Sequence, residues 1–316
     1  MTQATVSAQI SKKWTKLTET ERKVAHTVVA NYPMVGLNTI SDLAQKAHVG
    51  AATVTRFVTR LGYANFSAFR EALRSELEAQ FLSPVDKRRA LRGIGKARSK
   101  AIEYLDEVLA NLKASARQIQ KADFDRAVNL LADRSRAVFI AGGRMSGSVA
   151  RHMATTLHSL REHVLLLDGG ESTAMEKIVD MRAKDVLLVL DFRRYQRGTI
   201  GLAQHANEKG CRIILVTDEW ISPAAEYASI IFRLKVETRS IWDSLSVAMA
   251  FCEALVDRVG RRLWEHAERR LKQVERYYEN GMTFDHGGVA VDSGRSTRGL
   301  RHRRPRRRSG AISGGE

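Results

Sequence analysis

Apolar residues recur at helical spacing through the first sixty positions of the chain. Val24, Ala25, Val28 and Val29 mark one face of a helix. It opens at the capping box formed by Thr18 and Glu21 and runs to about Asn31, before Pro33. Ile40, Leu43, Ala44 and Ala47 mark a second, shorter helix, and Val54, Phe57, Val58 and Leu61 a third, in "AATVTRFVTRLGY". Two short amphipathic helices joined by a tight turn behind a supporting helix predict a helix-turn-helix. A helical stretch follows from about Ala101 to Ile119. From Arg136 the pattern changes to short β-branched strands, "RAVFIAG", "HVLLLD", "DVLLVLD", "CRIILVT" and "SIIFRLK", separated by amphipathic runs. That alternation predicts βαβ units and a parallel sheet covered on both faces. The fold class is therefore α/β, with an all-α domain in front. One long last helix is expected from about Ile241 to Arg276.

The outer face of the third predicted helix carries the first chemistry. Ala52, Thr53, Thr55, Arg56, Thr59 and Arg60 are short or basic, and no acid occurs from Ala51 to Tyr63. Arginine forks suit guanine edges, and threonine suits thymine methyls or phosphates. With Thr39 and Ser41 on the preceding helix, these residues make the expected DNA-contacting set. A three-helix packing element of no special function would show the same apolar spacing.

Charge supports a polyanion partner because of where it lies. The net charge of +17 is concentrated in the flanks: residues 81–121 carry 10 basic and 4 acidic side chains, and residues 281–316 carry 8 and 3. Residues 122–280, with 24 basic and 22 acidic side chains, are nearly neutral. A basic flank on a neutral body suggests contact with nucleic acid. The expected divisions are residues 1–80 for the helix-turn-helix domain, 81–119 for a basic helical linker, 120–280 for the sheet domain and 281–316 for a disordered basic tail. No apolar run reaches the roughly 18 residues of a membrane span, and no signal-peptide core begins the chain. Cys211 and Cys252 read as core thiols in a reducing cytoplasm. No metal ligand set and no cofactor motif is evident.

The segments "LTETERKVAHTVVANYP" and "TISDLAQKAHVGAATVTRFVTRLGYANFSAFREAL" resemble the N-terminal domain of RpiR-type transcriptional regulators. Two positions depart from the usual pattern. His48 replaces the turn glycine, although histidine tolerates a left-handed backbone. Gly50 replaces the usual serine N-cap, at a cost of a few tenths of a kcal/mol. Residues 120–270 resemble the SIS (sugar isomerase) domain, through "GGRMSG" after the first strand and "TDEWISPAAEYAS" after the fourth. The resemblance implies a doubly wound, five-stranded parallel sheet that dimerises and binds a phosphosugar at the C-terminal ends of its strands.

The glycine-rich turn "AGGRMSGSVA" fits neither G-x-G-x-x-G nor a P-loop, but glycine between strand and helix lets backbone N–H groups approach an anion. Tight packing alone would require the same glycines. In the SIS family the loop after the third strand reads Ser-x-Ser-Gly-x-Thr. Here Asp191, Arg193 and Gln196 stand in place of the hydroxyls, and Arg194 replaces the glycine. Guanidiniums recognise carboxylate or phosphate bidentately. The expected effector set is Gly142, Gly143, Arg144, Ser146, Ser148, Arg193, Arg194, Tyr195 and Asp218. The competing reading is an ion-pair network with Asp168, Asp191 or a partner subunit.

Three functions compete on these residues. The leading one is a cytoplasmic homodimeric or homotetrameric regulator that binds double-stranded DNA and senses a sugar phosphate or sugar acid. The second is a sugar-phosphate isomerase or lyase with an appended helical domain, for which Glu171, Asp218 and Glu219 are candidate bases by position only. The third is an architectural protein acting through its basic tail. The first reading assigns no catalytic residue.

Overall fold

A computed structural model describes residues 5–30, 32, 34–81, 83–91, 101–168 and 171–277. The expected tail lies outside the described residues. The chain up to Lys272 forms one compact unit, and of the second unit, from Gln273, only the end of the last helix is described.

The N-terminal helices are α1 (Val6–Lys13), α2 (Glu19–Ala30), α3 (Ile40–Lys46), α4 (Ala51–Leu61) and α5 (Phe66–Phe81). The capping box at the head of α2 is formed: the Glu21 N–H donates to Thr18 Oγ1 at 3.3 Å, and the Thr18 N–H donates to Glu21 Oε2 at 2.8 Å. A second box, Thr39 with Asp42, opens α3. Val24, Val28, Leu43, Val54, Phe57 and Leu61 meet Phe69 and Leu73 of α5 in one apolar cluster. His48, at φ 52°, makes the left-handed turn between α3 and α4, as its tolerance of that region allows. Gly50 caps α4 without a side-chain hydrogen bond.

The stretch expected as a linker holds two helices of different character. Helix α6 (Pro84–Leu91) is short and basic, whereas α7 (Ala101–Gln118) packs on the sheet domain. There Asn111 Nδ2 donates to the Glu237 carbonyl at 2.7 Å, and the Lys235 N–H donates to Ser115 Oγ at 2.8 Å.

Helix α8 (Lys121–Ala132) leads into five strands: β1 (Val138–Gly142), β2 (Val164–Leu167), β3 (Val186–Asp191), β4 (Arg212–Asp218) and β5 (Ile230–Leu234). All pairings are parallel, in the order β2-β1-β3-β4-β5. Every residue of β3 is buried, as a strand covered on both faces requires. Helices α8, α9 (Gly147–Leu160) and α12 (Ser246–Arg262) share the core on one face, and α10 (Glu171–Val179) and α11 (Arg197–Glu208) that on the other. The chain leaves β1 toward β2 and leaves β3 toward β4, so their C-terminal ends form the switch point where such sheets bind ligands.

The long last helix does not form as one element. The structure places α12 and then α13 (Trp264–Tyr277), separated at Leu263. Before α12, residues 239–245 turn sharply, tied by the Thr238 hydroxyl on the Trp242 carbonyl and by the Ser244 N–H on the Val236 carbonyl. Apolar periodicity registers the buried face of both helices and is blind to the turn that divides them.

Candidate functional sites

Burial of Val54, Phe57, Val58 and Leu61 turns Ala52, Thr55, Arg56, Thr59 and Arg60 of α4 outward, and all five are exposed. Thr53 is buried, and its hydroxyl accepts from Arg56 Nη2 at 3.2 Å. The Thr55 and Thr59 hydroxyls donate to the carbonyls four residues back, at 3.2 and 3.0 Å. Their methyl groups and free lone pairs remain for a partner. Thr39 is exposed but serves as the cap of α3, beside exposed Ser41. Arg60 is only half available, because its Nε donates to Glu21 Oε1 at 2.9 Å. That acid comes from α2 and is invisible in the acid-free stretch itself. Lys13 Nζ, on the carbonyls of Arg60 and Leu61 at 2.9 Å each, was likewise not expected.

In the sheet domain, the loop after β1 is bonded to itself. The Gly143 N–H donates to Ser146 Oγ at 2.8 Å, and that hydroxyl donates in turn to the Leu190 carbonyl at 2.7 Å. The N–H groups of Gly147 and Ser148 are taken by the carbonyls of Gly143 and Met145, which also accepts from the Ser148 hydroxyl. A Cβ at Gly142 would lie 2.7 Å from the Ser146 carbonyl oxygen, so glycine is required by the tightness of the turn. The expected N–H cradle at the head of α9 is thus spent on holding the loop to β3. Gln196 completes the tie, its Oε1 accepting the Arg144 N–H at 3.1 Å.

The two arginines after β3 part company. The Arg193 side chain is 5% exposed, stacks over Trp220 at 4.2 Å and makes two 2.5 Å bonds to the Asp243 carboxylate. Lys87 of α6 binds the same carboxylate at 2.9 Å. Burial would push Asp243 upward, but Arg193 and Lys87 hold it below the usual carboxylate range. Arg194 is exposed and has no side-chain partner among the described residues. Tyr195 and Asp218 face each other away from the crevice: the tyrosine hydroxyl donates to Asp218 Oδ1 at 2.7 Å, and the Arg193 N–H donates to Oδ2 at 2.6 Å. Asp218 is fully buried, which raises its carboxyl to about 6. Burial raises Asp191 further, to about 7, despite the hydrogen bond that the Ser222 hydroxyl donates to it.

Two cavities flank this partition. One, of about 270 Å³, is lined by Arg144, Arg194, Trp242, Asp243 and Phe192, with Pro84 and Lys87 of α6 as one wall. The other, of about 720 Å³, is lined by Gly142, Ser148, Asp168, Arg197, Gly198 and Thr199. Gly143, Arg144 and Gln196 belong to both. Among the described residues no side chain accepts from the N–H groups of Arg197, Gly198 and Thr199 in the first turn of α11, and the Asp191 carboxyl accepts the Gln196 N–H just before them. Lys87, Arg197, Thr199, Trp220 and Asp243 were missed by sequence reasoning, and Gln196 was recognised only as the replacement of a loop hydroxyl. Only the gap left by the lost hydroxyl loop hinted that other groups must line the crevice.

Comparison with known proteins agrees with both halves. The rpiR-family helix-turn-helix domain matches residues 4–80 and the SIS domain matches residues 130–258. A Haemophilus influenzae protein named an HTH-type transcriptional regulator is 23% identical over 234 residues, spanning 71% of this chain and 77% of its own. The sugar isomerase domain of an RpiR transcription factor from Sphaerobacter thermophilus aligns with a TM-score of 0.52 at 23% identity, covering 55% of this chain and 97% of its own. The Vibrio vulnificus NanR protein, solved with ManNAc-6P, aligns over 88% of this chain and 99% of its own, with a TM-score of 0.51 and 16% identity. Carrying an rpiR-family helix-turn-helix domain and a SIS domain in one chain, the protein belongs to the RpiR-type transcriptional regulators.

Proposed function

We propose that the protein binds operator DNA through α4 and senses a sugar phosphate or sugar acid in the crevice at the ends of β1 and β3. The observation that carries the effector reading is the uncapped head of α11 beside three exposed arginines, Arg144, Arg194 and Arg197. A helix N-terminus and guanidinium forks favour the same ligand, an anion. Trp242 and Phe192 offer apolar faces for a sugar ring. The NanR neighbour, bound to a phosphorylated sugar, supports this reading. Arg193 acts as a brace in it, while Arg194 meets the ligand. Isothermal titration with glucose 6-phosphate and gluconate tests the proposal. Binding that Arg194→Ala weakens about tenfold supports it, and no heat from any anionic sugar overturns it.

Regulation rather than catalysis suits the acids of the crevice. Asp191 is held by Ser222, Asp243 by two cations and Asp218 by Tyr195, so none is placed as a free general base. Glu219 lines neither cavity. Turnover of ketose or aldose phosphates above a protein-free blank would reverse this ranking. Self-association is part of the proposal. Ile102, Leu105 and Leu109 form an exposed stripe on α7, suited to a second copy, and light scattering of the full chain reads it directly.

A further inference from the structure

The partition between the two cavities is thin. It consists of the Arg144 N–H bonded to the Gln196 side chain, and Gly143, Arg144 and Gln196 line both sides. Each side has its own exposed guanidinium without a side-chain partner among the described residues, Arg194 on one and Arg197 on the other. Arg144, equally unpaired, stands between them.

The larger side carries a second mark of a ligand. Thr199, in the first turn of α11, is 5% exposed, lines the cavity and has no hydrogen-bond partner for its hydroxyl among the described residues. Threonines in helices commonly bond the carbonyl one turn back, as Thr55 and Thr59 do here. Thr199 does not. Its hydroxyl opens onto the cavity, where a ligand or water can meet it. Asp168, the acid on that side, is already bound by Lys177 at 3.1 Å and Arg151 at 3.0 Å, so it does not oppose an incoming anion.

We infer that the crevice holds two anion subsites, one at Arg194 and one at Arg197, Thr199 and the head of α11, bridged by Arg144. The ligand class is then a doubly anionic sugar, either a bisphosphate or a phosphorylated sugar acid. This inference rests on the effector site proposed above and narrows it.

The test is isothermal titration of the full chain with glucose 6-phosphate, glucose 1,6-bisphosphate and 6-phosphogluconate. At least one of the two sugars bearing two anionic groups should bind about tenfold tighter than the monophosphate or better. Arg197→Ala and Thr199→Val should each shrink that ratio toward one, and Arg197→Lys should restore part of it. Each variant is compared at an unchanged melting temperature, and Thr199→Val, being isosteric, stands in if Arg197→Ala does not fold. Affinities within threefold of one another for all three sugars would overturn the two-subsite inference while leaving the effector site in place. So would a ratio unmoved by Arg197→Ala and Thr199→Val. Silence from every sugar would overturn the effector site itself.

Discussion

Asp191 shows how one residue departs from its family role and leaves a measurable trace. It stands where a phosphate-binding hydroxyl is usual, and burial raises its carboxyl to about 7. The folded protein keeps that proton to about pH 7, whereas the unfolded chain releases it near pH 4. Between those limits the folded state binds more protons, so this group's contribution to stability declines as pH rises. Asp191→Asn should remove a slope on the order of 1–3 kcal/mol, read as the difference between urea melts at pH 5 and pH 8. Unchanged slopes would place the titration elsewhere. On α4, Arg56→Ala should cost about 1–3 kcal/mol at the specific operator, measured by fluorescence anisotropy against a scrambled duplex. Arg60→Ala should weaken DNA binding too. It should also lower stability slightly, by about 0.5 kcal/mol, because it abandons the half-exposed pair with Glu21.

Among the elements, α6 occupies the most consequential place. It follows the helix-turn-helix domain, walls the smaller cavity and is pinned to the sheet domain through Lys87, Asp243 and Arg193. An anion arriving beside Lys87 would compete with Asp243 for it. Asp243→Ala leaves buried Lys87 without its carboxylate and takes the two shortest bonds from buried Arg193, which keeps Glu237 at 3.4 Å, so it should destabilise the chain by about 3 kcal/mol, read by urea denaturation. Lys87→Met keeps the Arg193–Asp243 pair, so it should cost less but loosen α6. Amide exchange should then rise in α6 and stay constant in β3 and β4, and equal protection in both proteins would show that Lys87 does not hold α6 in place.

At the scale of the whole molecule, charge and sensing are divided along the chain. The basic excess lies in the flanks and the nearly neutral block holds the crevice. Removing residues 282–316, with their eight arginines, should weaken binding to every DNA alike and reduce the salt dependence. A changed ratio of specific to nonspecific affinity would give the tail a reading role instead.

Local pattern was enough to determine the helix-turn-helix, the five strands and their parallel βαβ logic. Each depends on a helical period of 3.6 residues, a short continuous apolar run, a capping box, or a turn residue such as His48, all contained within a few positions. The acid-free face of α4 and the altered loop after β3 were legible for the same reason. What the tertiary structure alone decided is which of those charges are free. Glu21 reaches Arg60 across 39 positions, and Asp243 reaches Arg193 across 50 and Lys87 across 156. No periodicity records such meetings, because long-range ion pairs are set by how helices and strands pack, and packing turned one of two adjacent arginines inward and left the other exposed.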